Sequence, residues 1–258
     1  MRLRIVRRGG VLALTAVAAL LAGVAPASAA PGDGSAFGLA VDVTLLHASA
    51  VHVGPLAQSR TSGPMSATVA SATVPGVVTV GLINSAATRD QDTGAVTATA
   101  STADVDVPLL AALGRVGAKL IAAKCVATQS GEHGSATLTK ATLGALGALD
   151  ASPRPNTTIA VKVPGVGNVA TLILDEQVHH RDGSLTVNAF HLHLLGGPYA
   201  LGSGDVIISS ATCGPAGLPI PMASGAGLWL GLGLLGAVGL PVGATVLRRR
   251  RTSAAAAV

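Results

Sequence analysis

The feature that constrains this chain most is a series of short runs in which Val, Thr and Ile alternate with small residues, each broken by Gly, Pro or Asp/Asn. They include "SATVASATVPGVVTVGLI" (66–83), "GAVTATASTADVDV" (94–107), "TIAVKV" (158–163), "VATLILDEQV" (169–178), "SLTVNAFHLHLL" (184–195) and "DVIISSATC" (205–213). β-Branched residues suit a pleated backbone, and a period of two sends every second side chain to the same face. The pattern predicts an all-β domain, an antiparallel β-sandwich, with a β-solenoid of stacked hairpins as the alternative. Asp182-Gly183 lies between two such runs and predicts a type I′ hairpin, which needs positive φ at both central residues. The stretch "PLLAALGRVGAKLIAAK" (108–124) reads two ways. A short helix interrupted by Gly114 and Gly117 fits it, and so does a strand, because "KLIAAKCVA" alternates.

A weak internal repeat fits stacked hairpins. "LINSAATRDQDTGAVTATASTADVDV" from Leu82 resembles "LIAAKCVATQSGEHGSATLTKATLGAL" from Leu120. Each reads as a strand, a polar turn ending at Gly94 or Gly134, and a Thr/Ala strand. "VIISSATCG" repeats the first strand alone. A compositional bias toward Ala and Thr produces the same likeness, so both explanations stand.

The two ends read together. Arg2, Arg4, Arg7 and Arg8 precede an uncharged run of 14 residues from Val11 to Val24, and Ala27, Ser28 and Ala29 follow. That run is short of the ~20 residues of a permanent span, so residues 1–29 are expected to be a signal peptide cut after Ala29. Arg7-Arg8 raises twin-arginine export, although "RRGGVL" lacks most of that pattern. At the other end, 26 residues from Met222 to Leu247 carry no charge, and Arg248 to Arg251 follow at once. This predicts a linker and transmembrane helix over 218–247 and a cytoplasmic basic tail over 248–258, by the positive-inside rule. Gly227/Gly231 and Gly239/Gly243 have the GxxxG spacing of closely packed helices, which a span this rich in glycine also yields by chance. Leu218-Pro219-Ile220 opens like a wall-sorting LPxTG motif, but Pro221 stands where threonine is needed. Proline lacks the N–H and has a fixed φ, so covalent attachment to a wall is not expected.

The charge balance follows this division. The chain is +5 overall, but eight arginines lie in the two terminal segments. Setting them aside leaves nine of the 17 basic residues against 12 acidic ones, so the domain expected at 30–217 carries −3. Its aromatics are Phe37, Phe190 and Tyr199. Single-stranded nucleic acid needs a positive groove with stacking platforms, and many sugar sites need aromatic faces, so both are disfavoured. Cys125 and Cys213 are expected to form one disulfide in an exported chain, with two buried free thiols as the alternative.

Catalytic motifs are missing: there is no GxSxG, HExxH, CxxC or Walker loop. The constellation worth weighing is "DEQVHHRDGSLTVNAFHLHL" (175–194). His191 and His193 share a strand face, and the hairpin brings His179, His180, Asp175 and Glu176 near. Histidines at i, i+2 on a strand can ligate zinc or copper. A type I′ turn, however, sets Leu172 and Leu174 beside them, so polar positions on a sheet face are the expectation, with no metal or cofactor. Asn156-Thr157-Thr158 is a glycosylation sequon in form only.

"SAFGLAVDV", the mid-domain Cys125, "PNTTIAVKVPGVGNVATLILDEQ", "LTVNAFHLHLL" and "GDVIISSATCG" occur in that order. Over roughly residues 35–214 the chain resembles the choice-of-anchor P family, exported domains of high-GC Gram-positive bacteria whose C-terminal anchors vary. The resemblance rests most on Leu174-Asp175-Glu176-Gln177, Val187-Asn188-Ala189-Phe190-His191 and Ala211-Thr212-Cys213. It implies surface display, supplies no activity, and makes Asn188 and His191 parts of a recurring strand pattern. The expectation is a non-enzymatic, membrane-tethered cell-surface domain with a structural, adhesive or partner-binding role. Its partner is the membrane, with an extracellular protein or envelope component beside it, and no nucleic acid. The alternative is an exported hydrolase or metal-binding protein using the His179/His180/His191/His193 hairpin.

Overall fold

A computed structural model of the protein describes residues 30–45, 50–163, 165–196 and 202–218. The strands in chain order are β1 (Gly34–Leu45), β2 (Ala50–Leu56), β3 (Ser59–Arg60), β4 (Ser66–Val69), β5 (Ala72–Val74), β6 (Val78–Val80), β7 (Ile83–Arg89) and β8 (Val96–Asp106). They continue with β9 (Val116–Thr128), β10 (Gly131–Thr139), β11 (Thr142–Leu143), β12 (Thr157–Val163), β13 (Gly167–His179), β14 (Leu185–Leu195) and β15 (Gly202–Cys213). The ambiguous segment resolves into a short 3-10 turn at Pro108–Leu113 followed by β9. Gly114, with φ 93°, stops the helix, and the alternation after Arg115 carries the strand through Gly117.

The strands make two antiparallel sheets, neither closed into a barrel. In the first, the order is β12-β13-β14-β15-β1-β2, with β3 also on β1. In the second, β7, β8, β9 and β10 run side by side, β4 joins β7, and β6 leads from β8 to β5. The hairpins β7–β8 and β9–β10 are the two repeat units. Their glycines differ in use: Gly94 lies in its turn, whereas Gly134 sits inside β10 opposite Cys125. A Cβ on Gly134 would run into Val187 of the other sheet.

The sheets pack face to face: β1 lies over β7 and β8, β15 over β8 and β9, and β14 over β9 and β10. Between them lies one core of Val, Ala, Leu and Ile, in which Phe190 is the one aromatic among the described residues. Such small side chains let the two backbones approach closely. Thus Ser209 Oγ on β15 donates to the Ile121 carbonyl on β9 at 2.9 Å, and Thr102 Oγ1 on β8 lies 3.0 Å from the Gly38 carbonyl on β1. The two hydroxyls are themselves 3.0 Å apart, so two protons serve three contacts in one buried chain. Gly38 is needed there, because a Cβ would overlap the Ile83 side chain. Cys125 and Cys213 are bonded, with Cα atoms 5.6 Å apart, and so join β9 of one sheet to β15 of the other.

The inward-facing alternation of the first sheet slips by one residue along a single row. Asp175 on β13 and Ser209 on β15 have positive φ, 48° and 58°. Their row is bracketed by the pairs Leu174↔Phe190↔Ile208 and Glu176↔Asn188↔Ser210. On β14, Val187 points inward before the row, Ala189 within it, and Phe190, Leu192 and Leu194 after it. A left-handed residue turns the strand over locally, and consecutive residues then share a face. In the second sheet Asp104, with φ 47°, does the same on β8, and its carboxylate meets Lys119 at 2.8 Å.

Among the described residues no helix is long and apolar enough to cross a membrane. The expected signal peptide, the span over 222–247 and the basic tail lie outside the described residues.

Candidate functional site

The hairpin around Asp182-Gly183 forms, but its turn is not type I′. Only Gly183 has positive φ, 81°. Its N–H donates to the His180 carbonyl at 3.1 Å, and the His180 N–H donates to the Ser184 carbonyl at 2.8 Å. This is a three-residue loop, a type I turn closed by a left-handed glycine. Asp182 Oδ1 stabilises it by accepting from the Ser184 N–H at 3.0 Å and from its hydroxyl at 2.7 Å. The extra loop residue shifts the register by one. His191 therefore lies opposite Ile173, and His193 opposite Thr171, where the two-residue turn would have set Leu174 and Leu172. Since side chains alternate, a slip of one decides which residues share the face.

On the outer face of the first sheet a polar chain crosses β13, β14 and β15. Ser210 Oγ donates to Asn188 Oδ1 at 2.7 Å. That fixes the amide so that Asn188 Nδ2 donates to Glu176 Oε2 at 2.7 Å. His191 Nδ1 lies 2.8 Å from the same Glu176 oxygen, and His191 Nε2 lies 2.9 Å from Asp205 Oδ1. His193 Nδ1 lies 2.7 Å from that Asp205 oxygen. The His191 and Glu176 side chains are only 16% and 17% exposed, against 43% for Asp205. The next strand adds Asp42, opposite Asp205 in the register, and His52 beyond it, 3.9 Å from Asp42. Like charges directly opposite on neighbouring strands are unfavourable.

The ionisation follows from these contacts. Burial pushes His191 down, but the hydrogen bonds and charges of Glu176 and Asp205 outweigh it and raise the imidazole above its ordinary value. Glu176 is lowered, chiefly by the His191 hydrogen bond. Burial raises Asp205, yet its bonds to His193 and His191 leave it lowered overall. Asp175 has turned inward at the row where the alternation slips. It is 3% exposed, its Oδ1 has no hydrogen-bond partner, and desolvation raises it.

The four histidines do not converge. His180 bonds Thr186 Oγ1 at 2.9 Å beside the turn, and His179 is exposed at the end of β13 opposite Leu185. His191 and His193 meet through Asp205, a residue that no sequence signal places there, since the register of β15 on β14 has no local signature. Among the described residues no group of three or more His, Cys, Asp or Glu side chains is placed to hold a metal ion. Thr171, His193 and Asp205 do lie in one row on successive strands, in the order of nucleophile, base and carboxylate. No hydrogen bond links Thr171 to His193, however, and Asp205 Oδ1 is shared with the His191 ring, which weakens it as a support for His193. Elsewhere, the outer face of the second sheet holds a shallow trough of about 350 Å³. It is lined by Asn84, Thr99, Ser101, Lys124, Ser135 and Thr137 over a floor of alanines.

No family model matches the chain, and neither a curated protein nor a solved structure matches it.

Proposed function

We propose that this chain is a non-enzymatic cell-surface protein: an antiparallel β-sandwich held outside the cell by an uncut C-terminal membrane span, with a structural, adhesive or partner-binding role. The supporting observation is where the domain's two ends lie. Gly32 N–H donates to the Pro215 carbonyl and Gly214 N–H to the Asp33 carbonyl, each at 2.8 Å. Gly217 N–H then donates to the Gly94 carbonyl at 2.9 Å, and Arg89 Nη2 to the Leu218 carbonyl at 3.3 Å. The chain thus enters and leaves at one pole, and the apolar run begins four residues after Leu218. A domain stitched at one pole beside its anchor leaves the other pole and both sheet faces for contact. The resemblance to choice-of-anchor P proteins points the same way. The hydrolase reading has against it the unlinked Thr171 and the open face around His193.

The test is fractionation of cells making the protein. Protease applied to intact cells should release most of the domain, and detergent alone should extract the mature chain with Arg248 to Arg251 still attached. Arg248–Arg251→Ser should weaken retention, whereas Leu218→Ala should leave it unchanged. Release only by a wall-digesting enzyme, with a chain ending near Pro221, would replace this reading by covalent attachment. Full-length chain in the medium would remove the anchor altogether.

A further inference from the structure

We propose that His191 is a proton-operated clasp, tying β13 to β15 across β14 on the outer face of the first sheet in mildly acidic medium and letting go as the medium becomes alkaline. The geometry demands it. His191 places both ring nitrogens within 2.9 Å of carboxylate oxygens, Glu176 on one side and Asp205 on the other. A neutral imidazole has one N–H and one lone pair, so only the imidazolium can donate to both. Glu176 is held in place by a further donor, and both carboxylates ionise below their ordinary values, so neither readily supplies the missing proton. Glu176 Oε2 already accepts from Asn188, whose amide is held by Ser210, and Asp205 Oδ1 already accepts at the His193 ring. Loss of the His191 proton therefore turns a lone pair onto a carboxylate oxygen at hydrogen-bond distance.

The charged and titratable groups around the clasp come from five strands of that face. Glu176 is on β13, His193 on β14, Asp205 on β15, Asp42 on β1 and His52 on β2, while the edge strand β12 sets uncharged Thr158 in the His191 row and Lys162 four residues further along. Asp42 opposite Asp205 adds negative charge that the imidazolium offsets. When it is neutralised, three carboxylates remain along the face.

The sign follows from linkage. His191 is raised in the folded state, so its contribution is complete below the ordinary histidine value of 6.5 and is lost as pH rises through the folded value. Glu176 and Asp205 are lowered, so theirs is complete above their ordinary values of 4.5 and 3.8 and is lost as pH falls through the folded ones. The clasp is whole between those limits.

The test uses the full mature chain in detergent, labelled at histidine, with NMR titration and thermal melts from acid to alkaline pH. The His191 ring should remain charged at pH 6.5 and titrate above it, and Glu176→Gln should lower its midpoint. Melting should be highest in mildly acidic buffer and fall by about 3–5 °C into the alkaline range, roughly the loss of one charge-assisted bond in a domain of this size. His191→Gln should flatten that alkaline arm. Asp175→Asn in both backgrounds removes the other acid-favouring group. A His191 midpoint at or below 6.5 overturns the proposal, as does an unchanged alkaline arm in His191→Gln. Should His191→Gln not fold, the titration of the unaltered chain decides.

Discussion

Asp175 and Ser209 stand two strands apart in one row of the first sheet, and both hold left-handed backbones inside strands, with φ of 48° and 58°. Each non-glycine residue in that region costs roughly 1–2 kcal/mol. The return is a change of face. Beyond the row Leu174, Phe190 and Ile208 all enter the core, and His191 and Glu176 end up neighbours on the outside.

Ser209→Ala is therefore expected to destabilise. It removes the hydroxyl bridging to the Ile121 carbonyl and to Thr102, and it leaves buried acceptors unpaired. A loss of about 1–3 kcal/mol follows, read as a drop of several degrees in thermal melts. Thr102→Val should do the same from the other sheet, and the double mutant should lose less than the sum, since the two hydroxyls share one chain. Strict additivity would mean that they act separately.

Asp175→Asn should stabilise at neutral pH. Desolvation raises this carboxyl above its ordinary 3.8, so ionising it costs stability as pH rises past that value. Asparagine tolerates the left-handed backbone and carries no charge. The gain in melting temperature should be present at pH 7 and shrink toward zero below pH 4. A gain independent of pH would assign it to something other than the carboxyl.

Gly38→Ala should be poorly tolerated, because the new methyl overlaps Ile83 where β1 crosses β7. Overpacking of this kind typically costs about 1–3 kcal/mol. Ile83→Val in the same chain should recover part of the loss, and no recovery would place the strain elsewhere.

Cys125→Ser with Cys213→Ser should lower stability by about 4–5 kcal/mol on the chain-entropy argument for a loop of 88 residues. Denaturant midpoints of the oxidised protein and the double mutant would measure it. Equal midpoints would make the bond ornamental.

The strands were legible because their chemistry is local. β8, β12, β13, β14 and β15 coincide closely with alternating runs, and the cysteine pair needed only an even count and the expectation of export. β1 alternates cleanly only from Leu39 to Thr44, beyond Gly38, and β2 is a short run broken at Gly54-Pro55, so the sequence shows less of each than the structure contains. The site was legible only in part. His191, His193 and Glu176 lie near one another as the hairpin implied, but Asp205 comes from a strand whose register is set by tertiary pairing. Asp175, which the hairpin would set beside them, faces the other way, because one left-handed dihedral reverses it. The turn at Asp182-Gly183 shows the same sensitivity: its dipeptide announced a hairpin without revealing whether two or three residues close it, and that single residue decides what the histidines touch.

The disulfide joins the last residue of β15 to the opposite sheet, and this settles how the domain would bear tension. A pull at Leu218 first breaks the few hydrogen bonds at the pole and then reaches Cys213. From there the load divides, part along β15 and part through a covalent bond into β9. Unzipping β15 from β1 and β14, which would otherwise break one bond at a time, cannot begin without straining the second sheet as well. The domain meets force from its C-terminal side as a single block.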